Sequence, residues 1–191
     1  MSILTILGSP RMMGNTAAVL SMVEQELAGR QAVDRLAITS KRVNGCLGCG
    51  SCQKTTDCPG CVQKDDAVAV FERMMAADAV IYTSPLYCWG FSAQMKAFID
   101  RHFCLVTGFG TPAHNSLIAG KPVALLVTCA GPVENNADVI QTIFDRVCNY
   151  GKSRVVNKTV VPFCTTPDAL GEDARAAARK LAGDILRALQ R

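Results

Sequence analysis

Residues 2–16 read SILTILGSPRMMGNT, a short apolar run followed by a loop with two glycines. The run at 3–7 predicts a buried strand, and the residues from Asn15 onward predict a helix. A loop that leaves a strand and enters a helix presents free backbone N–H groups at the positive end of the helix dipole. The stretch therefore predicts a strand–helix unit whose turn suits an anion such as a phosphate.

The remainder of the chain repeats this alternation of short apolar runs and longer amphipathic stretches. Nearly continuous apolar runs such as VALLVT at 123–128 are typical of a parallel sheet that is covered on both faces. We therefore expect an α/β fold with a three-layer, doubly wound, parallel five-stranded sheet in the order 2-1-3-4-5. The predicted strands are 3–7, 33–38, 79–83, 123–128 and 155–162, and the predicted helices are 15–28, 65–76, 92–103, 135–150 and 172–189.

The composition limits the class of protein. Of 191 residues, 49% are hydrophobic and 19% are charged, which predicts one globular domain over 1–191 with a cysteine-rich insertion at about 43–64. The net charge of +4 is dispersed along the chain, so we expect neither a nucleic-acid nor a membrane partner. The N-terminus is predicted to be a strand and not a signal peptide, which indicates a reducing, cytoplasmic location.

Two further loops are predicted to reach the same end of the sheet as the glycine loop. Residues 84–92, SPLYCWGFS, follow the third strand and carry aromatic side chains. In a doubly wound sheet, ligands bind beyond the carboxyl ends of the strands, where the strand order switches. A flat ring could stack there on Tyr87 or Trp89. The loop TCAGP at 128–132 has small residues, and we expect Thr128 and Gly131 to border the same crevice.

Three motifs in this order resemble the NADPH-dependent FMN reductase family, and more narrowly its iron–sulfur flavoprotein branch. They are GSPRMMGNT at 8–16, CLGCGSC with CVQKDD in the cysteine segment, and SPLYCWGFSAQMKAFIDR at 84–101. The resemblance implies a flavodoxin-like fold that binds FMN and uses NAD(P)H as co-substrate. It further implies electron transfer to a flavin, a quinone or a similar acceptor, and assembly as a homodimer or homotetramer.

The motif match also implies the cofactor-binding residues. Ser9, Arg11, Asn15 and Thr16 would hold the phosphate, and the isoalloxazine would be bordered by Pro85, Leu86, Tyr87, Trp89 and Gly90. We assign no acid–base catalytic residue, because hydride transfer to a flavin does not require one. One alternative is an electron-transfer module that relays electrons from ferredoxin through a [4Fe–4S] cluster and FMN; another is a flavin-free scaffold of the same fold.

Five of the ten cysteines fall between positions 46 and 61. The spacing C-x2-C-x2-C of Cys46, Cys49 and Cys52 suits an iron–sulfur cluster. The fourth ligand is Cys58, which precedes Pro59 as in ferredoxin-type runs, or Cys61, which matches the family's C-V-x-x-D-D segment. A zinc site on Cys49, Cys52, Cys58 and Cys61, and a thiol-rich loop without metal, are the other two interpretations. Our predicted metal ligands are Cys46, Cys49, Cys52 and Cys58.

Charged residues near the helix ends receive structural roles. Asp65 and Asp66 begin the second predicted helix, where carboxylates suit the positive end of the dipole. Asp100 and Arg101 are interpreted as polar contacts at the end of the third predicted helix, and His102 as a structural residue.

Overall fold

The computed structural model describes residues 1–190, and a five-stranded parallel sheet forms its centre. The strands of this sheet follow the order β2-β1-β3-β6-β7, which confirms the predicted order 2-1-3-4-5 once a separate small hairpin, β4–β5, is set aside. The strands are β1 (Ser2–Leu7), β2 (Ala32–Ala37), β3 (Ala79–Pro85), β4 (Val106–Thr107), β5 (Asn115–Ser116), β6 (Pro122–Thr128) and β7 (Arg154–Val161).

Helices cover both faces of the sheet, as the apolar strands require. One face is packed by α1 and α5, and the other by α2, α3 and α4. Every residue of β3 is buried, which fits its central place between β1 and β6. The helices are α1 (Asn15–Leu27), α2 (Ala67–Ala76), α3 (Ala93–Asp100), α4 (Asp138–Tyr150) and α5 (Glu172–Leu189).

The register of the strands brings three loop starts to one edge of the sheet. Leu7 at the end of β1 pairs with Thr83 of β3, and Pro85 at the end of β3 pairs with Thr128 at the end of β6. The strand order reverses between β1 and β3, because β2 lies to one side of β1 and the later strands lie to the other. This is the place where ligands of doubly wound sheets bind.

Two helix boundaries differ from the sequence prediction by three residues each. Helix α3 ends at Asp100 and continues as a 3₁₀ turn, Arg101–Leu105, instead of an α-helix to residue 103. Helix α4 begins at Asp138 instead of residue 135, because Asn135 has a left-handed φ of 54° within the irregular segment Val133–Ala137. Asn tolerates this conformation better than most residues. Within residues 1–190, no helix combines the length and the apolar character that a membrane span needs.

Candidate functional site

One cavity of about 190 Å³ lies where the loops after β1, β3 and β6 meet. Eight of the predicted cofactor-binding residues line it: Ser9, Arg11, Asn15, Thr16, Pro85, Leu86, Tyr87 and Thr128. The other three, Trp89, Gly90 and Gly131, are not among its lining residues. Cys164 and Thr165, which follow β7, also border the cavity. The sequence prediction missed this fourth loop, since no motif marks it.

The loop after β1 is held closely against its neighbours. The N–H group of Gly8 donates a hydrogen bond of 2.7 Å to the carbonyl of Thr83. A Cβ atom at position 8 would lie 2.9 Å from the side chain of Met95, so only glycine fits without displacing α3. The N–H group of Arg11 donates to Ser9 Oγ at 3.1 Å. These contacts fix the turn that leads into α1.

The first turn of α1 has free N–H donors. Gly14 occupies the N-cap position, and no side chain caps this helix end. In α3, by contrast, Ser92 Oγ accepts a hydrogen bond from the N–H group of Met95. An uncapped helix N-terminus at a cavity is a ready binding site for an anion. The geometry therefore fits a phosphate at the start of α1.

Asn15 and Thr16 connect this helix start to two other loops. Asn15 Nδ2 donates to the carbonyl of Thr165 at 3.2 Å, whereas the buried Asn15 Oδ1 has no hydrogen-bond partner. A buried polar atom without a partner indicates a missing ligand or water. The hydroxyl oxygens of Thr16 and Thr128 lie 2.6 Å apart and are hydrogen bonded. The cavity thus offers both donors and one unsatisfied acceptor to a polar ligand.

The aromatic loop forms a tight turn at the rim. Tyr87 and Gly90 exchange two backbone hydrogen bonds of 3.1 and 3.0 Å. Between them, Cys88 and Trp89 have left-handed φ angles of 47° and 61°. Two successive positive φ angles are the pattern of a type I′ turn, which ordinarily uses Asn and Gly. The turn leaves Tyr87 45% and Trp89 59% exposed, so large aromatic surface faces solvent beside the cavity.

The loop after β6 contributes a small wall to the cavity. Cys129 is buried, and its Sγ donates to the carbonyl of Gly131 at 3.3 Å. Burial raises the pKa of the Cys129 thiol, which keeps it protonated and poorly nucleophilic at neutral pH. A Cβ atom at Gly131 would lie 3.0 Å from the amide of Asn136, so this glycine allows the loop to pack against Asn136.

A second, smaller cavity lies among the clustered cysteines. It measures about 20 Å³ and is bordered by Cys46, Cys49, Cys52 and Cys61, together with the buried Cys104. Cys58, the predicted fourth ligand, is exposed and is not among the lining residues. The glycines on either side of Cys49 make the tight path possible: Gly48 and Gly50 have φ angles of 64° and 67°.

Four of the sulfurs that border this cavity, those of Cys46, Cys49, Cys52 and Cys61, each accept a hydrogen bond. The N–H group of Gly48 donates to Cys46 Sγ at 3.4 Å, and Gln53 Nε2 to Cys52 Sγ at 3.6 Å. Hydrogen bonds from Ser51 lower the pKa of the Cys49 thiol. Arg101 Nη2 donates to Cys61 Sγ at 3.1 Å. Such donors stabilise thiolates, and thiolates are the ligands of iron–sulfur clusters.

The environments of Cys58 and Cys104 are different. Desolvation and the neighbouring carboxylate of Asp57 raise the pKa of the Cys58 thiol. Burial raises the pKa of Cys104 to about 12. Both groups therefore favour the protonated thiol. Because Cys61 borders the cavity together with Cys46, Cys49 and Cys52, and Cys58 does not, the position of Cys61 fits a four-thiolate centre with these three cysteines.

The positions of the sulfurs also bear on the kind of centre. Within residues 1–190, no three His, Cys, Asp or Glu side chains come close enough together to hold one metal ion. A zinc ion needs four ligands converging at about 2.3 Å Zn–S distances. In a [4Fe–4S] cluster the four thiolates bind four different iron atoms, and so they stand farther apart.

Arg101 and Asp65 form a buried ion pair beside the cysteine cavity. Arg101 Nη1 lies 2.7 Å from Asp65 Oδ2, and the two side chains are 1% and 0% exposed. Desolvation opposes the charge on Asp65, but its hydrogen bonds with Arg101 and with the N–H group of Asn44 lower its pKa. The interpretation of Arg101 as an ordinary contact at a helix end was therefore wrong. The two residues are 36 positions apart, and no local pattern pairs them.

The sequence resembles known flavoproteins along most of its length. Residues 1–138 match the profile of the NADPH-dependent FMN reductases. The chain is 38% identical to an iron–sulfur flavoprotein of Archaeoglobus fulgidus over 127 residues, which are 66% of this chain and 53% of that protein. It is 34% identical to one of Methanocaldococcus jannaschii over 146 residues, or 76% and 70%. The chain thus spans about half the length of the first of these relatives.

Solved structures show the same fold at lower sequence identity. An NAD(P)H:quinone oxidoreductase from Methanothermobacter marburgensis superposes with a TM-score of 0.76 at 15% identity, covering 97% of this chain and 98% of that one. A putative quinone reductase from Klebsiella pneumoniae superposes with a TM-score of 0.75 at 19% identity, covering 97% of this chain and 85% of that one. These likenesses confirm the flavodoxin-like sheet.

Proposed function

This chain belongs to the NADPH-dependent FMN reductase family of FMN-dependent oxidoreductases, and on that premise we propose that it passes electrons from NAD(P)H to a flavin, a quinone or a similar acceptor. The observation that carries the proposal is the cavity shared by the glycine loop, the aromatic turn and the loop after β6. Bound FMN would supply the ability to accept a hydride and pass on its electrons.

The residues of the glycine loop suit the phosphate end of the cofactor. The free N–H groups at the start of α1 would donate to the phosphate oxygens, and the Arg11 guanidinium would add charge-assisted hydrogen bonds. The unpartnered Asn15 Oδ1 would accept from a ribityl hydroxyl. Gly8 and the Thr16–Thr128 hydrogen bond hold these groups in place before the cofactor arrives.

The other two loops suit the ring system. Pro85, Leu86 and Tyr87 line the cavity as a short continuous wall, and the exposed aromatic surface of the turn can cover a flat ring or its redox partner. No carboxylate lines this cavity among the described residues. Nothing at the site therefore opposes the negative charge that a cofactor gains when it is reduced. The chain's own contribution is to bind, orient and exclude water.

The reductase proposal is tested by cofactor uptake and turnover. Purified protein should bind one FMN per chain, visible in its absorption spectrum, and should oxidise NADPH or NADH when a quinone or free flavin is supplied. FMN uptake without oxidation of either nicotinamide would overturn the reductase reading. A protein that stays colourless at micromolar FMN would overturn flavin binding altogether.

A second function, an electron relay through a [4Fe–4S] cluster to FMN, is favoured by the cysteine cavity. Five cysteines border one cavity, and the sulfurs of four of them, Cys46, Cys49, Cys52 and Cys61, have a hydrogen-bond donor. We propose Cys46, Cys49, Cys52 and Cys61 as the ligands, with Cys61 replacing the Cys58 that the sequence suggested. Bound there, a cluster would supply one-electron chemistry beside a two-electron cofactor, and a ferredoxin-like protein could serve as donor.

Two single substitutions distinguish the candidate fourth ligands. After anaerobic purification, Cys58→Ser should keep the iron and sulfide content of the unaltered protein, whereas Cys61→Ser should lose at least one iron per cluster. FMN content is measured in parallel, because neither substitution touches the flavin cavity. The reverse pattern of iron loss would assign Cys58 instead, and absence of iron from the unaltered protein would end the relay proposal.

A further inference from the structure

Arg101 lies at the centre of a hydrogen-bond network that ends in the cysteine cavity. Its guanidinium reaches both oxygens of Asp65, at 2.7 and 3.1 Å, and the carbonyl of Asn44 at 3.0 Å. The same Nη2 atom that contacts Asp65 also lies 3.1 Å from Cys61 Sγ. One planar fork thus fixes the backbone before Cys46 and the sulfur of Cys61 at the same time.

One donor of this guanidinium is left over. Arg101 Nε is buried and has no hydrogen-bond partner, although Arg101 lines the cavity of cysteine sulfurs. A buried N–H group that makes no hydrogen bond has lost its contact with water without compensation, so its position needs a physical reason. An acceptor bound within the cavity would satisfy it.

The Arg101–Asp65 ion pair can hold a hydrogen-bond donor next to a negatively charged acceptor in the cavity. Asp65 neutralises Arg101, and it is itself held by the N–H groups of Asn44 and Ala67 at 2.9 and 3.2 Å. The guanidinium is therefore kept in place whether or not the cavity is filled. Four thiolates and a cluster carry net negative charge, and hydrogen bonds to their sulfurs are among the factors that set the reduction potential.

We infer that Arg101 is a positioning residue for the proposed cluster: it orients Cys61 as the fourth ligand and raises the reduction potential through its N–H groups. This inference rests on the proposed relay function. A purely structural ion pair would stabilise the loop equally well but would leave the potential of the cluster unchanged. The potential therefore separates the two roles.

Two variants and one control make the test. Arg101→Gln combined with Asp65→Asn removes both charges together, so no buried charge is left unpaired and the net charge is unchanged. Arg101→Lys keeps the charge but loses the fork. The control is Arg73→Gln with Asp34→Asn, which removes a similar two-bond ion pair, at 2.6 and 3.1 Å, on the half-exposed surface of α2 and β2.

Each protein is reconstituted anaerobically, and its iron and FMN contents, thermal unfolding of the metal-free form and midpoint potential of the cluster are measured. In the double variant at Arg101 and Asp65 we expect the ratio of reduced to oxidised cluster at a fixed potential to fall at least tenfold, equivalent to 59 mV for a one-electron couple. Arg101→Lys should shift it in the same direction, and the control should not shift it.

The outcomes are distinct. Loss of the cluster from a variant that remains folded and binds FMN also supports the positioning role. An unchanged potential in both variants, with full iron content, would overturn the inference while leaving the relay intact. Absence of iron from the unaltered protein would overturn the relay and the inference together, and the FMN reductase proposal would stand. If the double variant does not fold, Arg101→Lys alone decides.

Discussion

Thr16 and Thr128 join two distant parts of the chain through one hydrogen bond, with their hydroxyl oxygens 2.6 Å apart and 112 positions between them. Thr16 lies in the first turn of α1, and Thr128 ends β6. Both side chains are buried. The hydrogen bond therefore ties the start of α1 to the end of β6 in the lining of the candidate flavin cavity.

Removing one of the two hydroxyls should lower the free energy of unfolding more than removing both. Thr128→Val leaves Thr16 Oγ1 buried without a partner, and we expect a loss of about 1–3 kcal/mol in the free energy of unfolding of the cofactor-free protein. Thr16→Val with Thr128→Val should lose less, because two apolar groups of similar shape then face each other. Urea unfolding of the unaltered protein, the two single variants Thr16→Val and Thr128→Val, and the double variant measures the coupling between the two hydroxyls. A double loss equal to the sum of the single losses would contradict the coupling.

The turn at Cys88 and Trp89 should become more stable when its strain is relieved. Cys88→Asn places a residue that tolerates positive φ in the first central position, and Trp89→Gly does so in the second. Each should raise the free energy of unfolding by about 0.5–1 kcal/mol. Only Trp89→Gly should also weaken FMN binding, since it removes an aromatic ring. Equal FMN affinity in the two variants would show that the Trp89 ring does not contact the cofactor.

Gly8 should tolerate no side chain. In Gly8→Ala the new methyl would lie 2.9 Å from Met95 and 3.0 Å from the carbonyl of Thr83. We expect a loss of about 1–3 kcal/mol in stability and weaker FMN binding, because the phosphate loop must shift. Gly45→Ala is the matched control, since nothing lies within 4 Å of its added methyl. Equal effects of the two substitutions would rule out the steric explanation.

His102 should make stability depend on pH. Its Nδ1–H donates to the carbonyl of Phe98 at 3.0 Å, so Nε2 accepts from the Tyr82 hydroxyl at 2.9 Å. Burial between the rings of Phe71 and Phe98 lowers the pKa of His102 from 6.5 to about 4. The unfolded chain therefore binds the proton first, and the stabilisation, up to about 3 kcal/mol, is complete above pH 6.5 and is lost as the pH falls toward 4.

Unfolding in urea at several pH values between 4 and 7 checks this. His102→Gln should flatten the slope of stability against pH relative to the unaltered protein. His114→Gln, which alters the second histidine, should retain the slope. If His102→Gln retained it as well, the carboxylates that titrate in the same range would have to account for the whole dependence.

Local patterns were sufficient to predict the sheet and to pick out eight residues that line the candidate flavin cavity. Runs such as VALLVT predict buried strands by themselves. Parallel pairing of these strands then places the loops after β1, β3 and β6 at one edge of the sheet. The contacts of Thr165 and Arg101 could not be predicted in this way. Thr165 reaches Asn15 across 150 positions, and Arg101 reaches Asp65 across 36. Such pairs depend on tertiary packing, which no spacing in the sequence encodes.

Helix α3 has a consequence for the two candidate sites taken together. At its start, the Ser92 hydroxyl donates to the carbonyl of Gly8, next to Ser9 of the candidate flavin cavity, and immediately after its end Arg101 lines the cysteine cavity. Its eight residues span about 12 Å at 1.5 Å each. The helix thus acts as a rigid spacer between the two cavities. Lengthening it by a single residue would rotate one end by about 100° relative to the other and uncouple them.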